Sequence, residues 1–358
     1  MPPLNFSLFE LLLIIGITQG VVISLLIWTC RRKTPDKIIL SLLLTVFNLL
    51  CVRIILLSSG LWQISWIRYL PLPFELSMQP LIYLYIVSLT QANFHLRRKD
   101  WLHFVPFLVS LAYSLFIYLQ VLPESNLTLK DQIANSYGFN PVKESEDYLS
   151  VVSAVIYGVL SYHMLTKYRR WLSDQTSNTL YPSYSWLRNL LLLFGVLFAM
   201  LLVNLLLDLK GYAAGHFFHW QMLFVYIAAL IYYLGFRGYQ LRNPVPIVAE
   251  PSPVRKIGRD LSEATLTMAR KVILQALEQE RLYLDPDLSL ASLSQTVGYT
   301  PSIVSACINT GWQKNFRQLI NVYRVEAVKA RLQAQGSAHL SLLGIAYECG
   351  FDSEASFY

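Results

Sequence analysis

Up to about residue 240 the apolar residues of this chain come in long runs rather than in alternation with polar ones. Seven runs can be drawn, at about 7–29, 38–58, 69–89, 101–122, 148–165, 189–207 and 219–236. Each approaches the roughly 20 residues a helix needs to cross a bilayer, so the pattern predicts about seven membrane-spanning helices. The third run is interrupted by Pro71, Pro73 and Pro80, which leaves its limits the least defined. The pattern then changes. A Pro-rich stretch over 243–253 reads as a semi-extended linker. Beyond it the apolar residues take helical spacing in short segments. A helix is expected near 262–282, with Leu266, Val272, Ile273, Ala276 and Leu277 as its apolar positions. Leu290, Leu293 and Val297 form the next segment, stopped by Gly298. Thr300 then reads as an N-cap with Pro301 at the first helical position. Ile303, Val304, Cys307 and Ile308 give the following helix its apolar face, and Gly311 closes it.

Two short helices joined by a glycine turn make a helix-turn-helix, and here the pattern occurs twice. Leu342, Ile345 and Cys349 lead to Gly350-Phe351 as Leu290, Leu293 and Val297 lead to Gly298-Tyr299, and Asp352-Ser353 offers a new cap. Between the copies, 315–333 reads as one amphipathic helix with Phe316, Leu319, Ile320, Tyr323, Ala327 and Leu332 on its inner side.

The doubled motif resembles the DNA-binding domain of AraC-type (AraC/XylS) transcription regulators, in which two helix-turn-helix units flank a linker helix. The matching residues include Pro286 to Leu290, Leu293, Gly298, Asn315-Phe316, Tyr323 to Val325, Ala327, Ile345-Ala346, Gly350-Phe351, Ser353 and Phe357. They cover roughly the last quarter of the chain. The apolar runs and the resemblance together lead to an all-α protein: residues 1–242 read as a transmembrane domain of about seven helices, 243–260 as a Pro-rich linker, and 261–358 as the AraC-type DNA-binding domain that the resemblance implies. The family pattern continues past the position of Phe357, so the second helix-turn-helix is expected to be cut short. Double-stranded promoter DNA is the implied partner, with the lipid bilayer, RNA polymerase and a small-molecule or membrane signal as the other candidates.

Carried across by the family pattern, Ser302, Ser305 and Ala306, behind Thr300, would face bases from the first unit. Glu354, Ala355, Ser356 and Tyr358, behind Ser353, would begin the second reading helix. The strong base readers, Arg for guanine and Asn or Gln for adenine, are missing from these positions. Lys314 and Arg317 would then hold phosphate, whereas Arg324 could contact phosphate or pack within its own domain.

Composition supports the membrane class. Of 358 residues, 54% are hydrophobic and only 14% charged, too apolar for an ordinary soluble chain. Cys30, Cys51, Cys307 and Cys349 are scattered, with neither metal nor disulfide spacing. The net charge of +7 belongs to the membrane part. From Val254 onward 11 Lys/Arg face 10 Asp/Glu, so overall basicity does not carry the DNA reading. The start of the chain has no basic residue, and its first apolar run is expected to be a retained span rather than a signal peptide.

Loop charge sets the expected orientation. Connections on one side hold Arg31, Arg32, Lys33, Lys37, Arg97, Arg98, Lys99, Lys167, Arg169, Arg170, Arg188, Arg237 and Arg242. Those on the other side hold Arg68, Lys130, Lys143 and Lys210. The 13-to-4 excess predicts a multi-pass protein of the bacterial inner membrane with its N-terminus outside and its C-terminal domain in the cytoplasm. That is the side on which DNA lies.

Other candidate chemistry is sparse. Arg53 in the second run and Glu75 in the third are costly charges in a membrane; they form either a switchable sensing site or a static ion pair. Asp208 sits at the outer end of the sixth run. His216 and His219 share helical spacing but make too small a set for a metal. The outer connection at 123–147 is either a ligand-binding loop or a solvated one, and its Asn126-Leu127-Thr128 is a chance sequon. No catalytic or nucleotide motif stands out, so no enzyme activity, cofactor or metal is expected. The readings are a membrane-embedded transcription regulator, a transporter with a helical regulatory tail, or a scaffold whose tail binds protein.

Overall fold

The computed structural model describes residues 7–29, 34–91, 94–177, 182–209, 218–240, 263–333 and 341–357. The described residues are all-helical, with no strand beyond one isolated antiparallel bridge between Thr176 and Ser289. Contacts divide the chain into two units: Met1–Met164 with Asn189–Ala249, and Leu165–Arg188 with Glu250–Tyr358.

The first unit holds α1 (Leu8–Thr29), α2 (Pro35–Ser58), α3 (Glu75–Thr90), α4 (Val105–Val121), α5 (Leu127–Ser136), α6 (Phe139–Gln175, which runs on into the second unit), α7 (Pro182–Leu209) and α8 (Phe218–Gln240). α1 packs on α2 and α8. Small residues permit this approach, as is common between helices in lipid. A Cβ on Gly16 would lie 2.8 Å from that of Ala228, and one on Gly20 would collide with the Asn48 side chain. Large apolar side chains point outward, among them Ile15, Val109 and Leu192, as expected of surfaces solvated by lipid rather than water.

Six of the described helical stretches are long and apolar enough to cross a membrane, against the seven expected. The exception is α3. Pro71 and Pro73 keep the backbone before Glu75 non-helical, so only 16 residues, about 24 Å, are helical. α3 nonetheless runs antiparallel to α2. Its first residue meets Arg53 near the end of α2, while Leu84 lines the same cavity as Ile39 and Leu42 from the start of α2. Twelve of its residues are buried.

The connection at 123–147, expected as an outer loop, is helical over most of its length. Asn126 caps α5, its Oδ1 accepting from the amides of Thr128 (2.9 Å) and Leu129 (3.4 Å). This gives the sequon asparagine a structural role. Arg68 then clamps α5 through a two-pronged bond to Asp131, Nε to Oδ1 at 2.8 Å and Nη2 to Oδ2 at 2.6 Å, and the Tyr69 hydroxyl donates to the same carboxylate at 2.7 Å.

The Arg68 guanidinium holds the Asp131 carboxyl below its ordinary range. A carboxylate depressed by folding contributes stability that is complete above its unfolded pKa and is lost as pH falls through the folded one. Hydrogen-exchange protection of α5, corrected for intrinsic rates, should therefore fall from about pH 4 downward. In Asp131→Asn the protection should be lower throughout, with that pH dependence gone. An unchanged profile in the variant would remove the clamp from the account of α5.

In the second unit, α9 (Glu263–Glu278), α10 (Leu290–Val297), α11 (Pro301–Gly311) and α12 (Phe316–Gln333) enclose one core. It contains Ile273, Leu277, Leu293, Val304, Ile308 and Leu319. α13 (Leu342–Glu348) and α14 (Glu354–Phe357) close a smaller core of Val328, Ile345, Ala346, Cys349 and Phe351. One expectation for α12 is corrected. Leu332, expected inside, is 51% exposed, and the inner stripe continues instead through Arg324 and Val328. The four-residue periodicity from Phe316 through Ile320 sets that face.

Candidate DNA-reading helices and a polar cavity among the membrane helices

The turn between α10 and α11 is built from local sequence. Ser289 caps α10 reciprocally with Ser292, its Oγ accepting at 3.1 Å and its amide donating at 2.9 Å. Gly298 ends the helix at φ 72°, a left-handed conformation that a side chain resists. Thr300 takes the N-cap backbone position but its side chain makes no capping bond; Pro301 starts α11. The second copy repeats the device. Ser341 caps α13 by accepting from the Gly344 amide at 3.0 Å, and Gly350 follows at φ 92°.

On α11, Ser302 is exposed, and Ser305 and Ala306 are half-covered on the side away from Val304, Cys307 and Ile308. Lys314 is exposed just beyond. In the second copy Glu354 is exposed and Ser353 and Ser356 are half-covered, with the Ser353 amide donating to Ser356 Oγ at 3.2 Å. The Ala355 side chain and Tyr358 lie outside the described residues.

The two arginines part company. Arg317, expected at phosphate, donates Nε to the Thr176 carbonyl at 3.1 Å, and burial lowers its pKa. Arg324 is only 1% exposed. Its Nε donates to the Tyr283 carbonyl (2.8 Å) and its Nη2 to the Asp285 carbonyl (2.7 Å) and Ser177 Oγ (3.1 Å). Burial pulls its pKa down to about 10, against the opposite pull of Asp352 and Asp285. Of the two readings open for Arg324, the structure shows internal packing. Ser177 also bonds the Leu288 carbonyl, through Oγ at 2.8 Å and its amide at 3.3 Å. Thr176-Ser177 is thus tied to the N-terminal end of α10 and to α12. Nothing in the local sequence announces this, because the partners lie more than 100 residues apart.

Among the membrane helices, Arg53 and Glu75 are brought together as an ion pair, with side chains 33% and 35% exposed. They line a cavity of about 240 Å³ between α2, α3, α6, α7 and α8. Asp147 and Asp208 line it too. Asp208 accepts from Trp220 Nε1 at 3.0 Å and lies 3.1 Å from His219 Nε2. His216 falls outside the described residues, among which no group of three metal-capable side chains occurs. Asp147 escaped the sequence reading because it sits where a loop was expected.

Comparison with known proteins returned no matching protein-family model, no matching curated protein and no matching solved structure.

Proposed function

We propose that this chain is a membrane-embedded DNA-binding transcription regulator of the AraC type, in which a signal sensed in or across the membrane alters promoter binding by the C-terminal helices. The reading rests on one observation above all. Two helix–turn units, α10–Gly298–α11 and α13–Gly350–α14, stand at the two ends of α12, each turn made by a left-handed glycine. A helix presented beyond such a turn suits entry into a major groove by its N-terminal end, and the exposed serine face of α11 fits that role. Base readout from Ser302, Ser305 and Ala306 would be weak, leaving phosphate contacts, with Lys314 foremost, to supply affinity. If α3 crosses as a seventh span beside the six long ones, loop charge would put the N-terminus outside and the C-terminus in the cytoplasm. The signal would enter through the cavity that holds Arg53 and Glu75. The sparse base readers favour a second reading, a membrane scaffold whose helical tail binds protein.

Mapping chromosomal DNA bound by the full-length tagged protein separates the two. Discrete promoter sites are expected, each protected over two adjacent, non-palindromic sub-sites about 10 bp apart. Ser302→Glu with Ser305→Glu should erase one sub-site, since each carboxylate would face phosphates. Binding to promoter DNA no tighter than to random DNA across a salt series would replace the regulator with the scaffold.

A further inference from the structure

We propose that the cavity around Arg53, Glu75, Asp147 and Asp208 binds an amphiphilic organic cation, an alkyl or aralkyl ammonium. Its head lies by Asp147 and Trp220, and its apolar body runs between α6 and α7. This names a ligand class for the sensing site. It rests on the membrane reading of this unit and is independent of DNA binding.

Charge is the first argument. Arg53 is matched by Glu75, and Asp208 by His219 and Trp220. The neighbouring Lys143 is matched by Glu146 at 2.7 Å. Asp147 lines the cavity and makes no hydrogen bond or ion pair among the described residues. Arg53 and Lys143 act on Asp147 only through space, each being in direct contact with another carboxylate, so one carboxylate has no direct partner beside walls of Leu50, Leu57, Leu201 and Leu205. Asp147 is exposed and so open to an incoming cation, and Trp220 and Phe224 line the same cavity, where aromatic rings suit an ammonium. Three carboxylates against one guanidinium disfavour a phosphate or a fatty acid.

Space is the second argument. Met78, Leu197 and Leu201 also line an adjoining cavity of about 240 Å³ between α3, α6 and α7. Gly158 and Gly195 face it with nothing within 4 Å of where a Cβ would be. Its buried polar walls are Gln79, 3% exposed, and Ser161, 1% exposed. Gln79 gives Nε2 to Ser150 Oγ at 2.9 Å, which leaves Oε1 without a partner. A polar mouth, an apolar arm and a waiting acceptor match an amphiphile with a donor on its body. Two cavities of this size reach the roughly 300–1,000 Å³ of small-ligand sites.

The test uses the full chain in zwitterionic nanodiscs. Decylammonium is titrated below its micelle concentration by calorimetry, with empty nanodiscs subtracted and decanoate and decanol as charge controls. Saturable binding is expected for the ammonium, about tenfold or more tighter than for either control. Asp147→Asn should weaken it by about tenfold without changing the Tm. Gly195→Leu should weaken it by filling the apolar arm, and Glu144→Gln, outside the cavity, should leave it unchanged. Uptake no greater than by empty nanodiscs, equal affinity for decanol, preference for decanoate, or indifference to Asp147→Asn would each overturn the proposal. No DNA enters the measurement, so failure of the regulator reading leaves this result standing, and the reverse.

Discussion

Arg324→Met should unfold the region joining α9 to α12 while leaving the membrane helices in place. Methionine fills much of the same volume but offers no donor. The carbonyls of Tyr283 and Asp285 would then be buried without their partner, and Ser177 would lose its hold on α12. Hydrogen bonds from a charged group contribute about 1.5–3 kcal/mol each, so a loss of about 3 kcal/mol or more is expected. That is a large part of the stability of a small helical domain. Arg324→Lys should rescue little, because one ammonium cannot reproduce a planar fork that reaches two carbonyls. Gly350 deepens the sensitivity. It passes so close to the Tyr283 and Leu284 carbonyls and to Arg324 that a Cβ there would collide with them. Hydrogen exchange on the full-length protein is the check. Protection should fall across 282–285 and α12 but not in α2 or α8, and unchanged protection in α12 would show that the arginine is dispensable.

The second large effect is expected from Val328→Pro. Val328 is 4% exposed in the interior of α12 and belongs to the smaller core with Ile345, Cys349 and Phe351. Proline there removes a helical hydrogen bond and crowds the backbone carbonyl of Arg324, at a cost of about 3 kcal/mol. The larger core, from Ala269 to Ile320, lies before the break. α10 and α11 should therefore keep their protection while α13 loses its own. In footprints, one sub-site should survive and the other vanish. Val328→Ala, which keeps the helix, is the control. Loss of both sub-sites together, or of neither, would mean that α12 does not set their separation.

Much of this architecture is legible in the sequence where the physics is local. Runs of apolar residues announce the six long helices, and the paired glycines at 298 and 350 announce the turns that the left-handed backbone then requires. Legibility fails where a local rule meets a tertiary partner. α5 is too polar to read as a helix until Asn126 is seen capping it and Arg68 clamping Asp131. Arg324 lies on the four-residue stripe of Phe316, Ile320 and Val328, yet its charge hides its place on the inner face. At the cavity, Arg53 and Glu75 stand out as charges in apolar runs, whereas Asp147 does not, because its meaning comes from α6 lining one cavity with α2 and α7.

The brevity of α3 bears on how the protein is made. A helix of 16 residues that begins with Glu75 and buries Ser77, Gln79 and Ser88 offers lipid little reason to keep it. Its hold comes from neighbours: Arg53 at one end, and Gln79 bonded to Ser150 on α6. α2 leaves the ribosome before α3, and Ser150 well after it. The short helix is thus received first by α2 and secured only once α6 has followed. If α3 crosses the membrane, order of emergence as much as hydrophobicity would settle its place there.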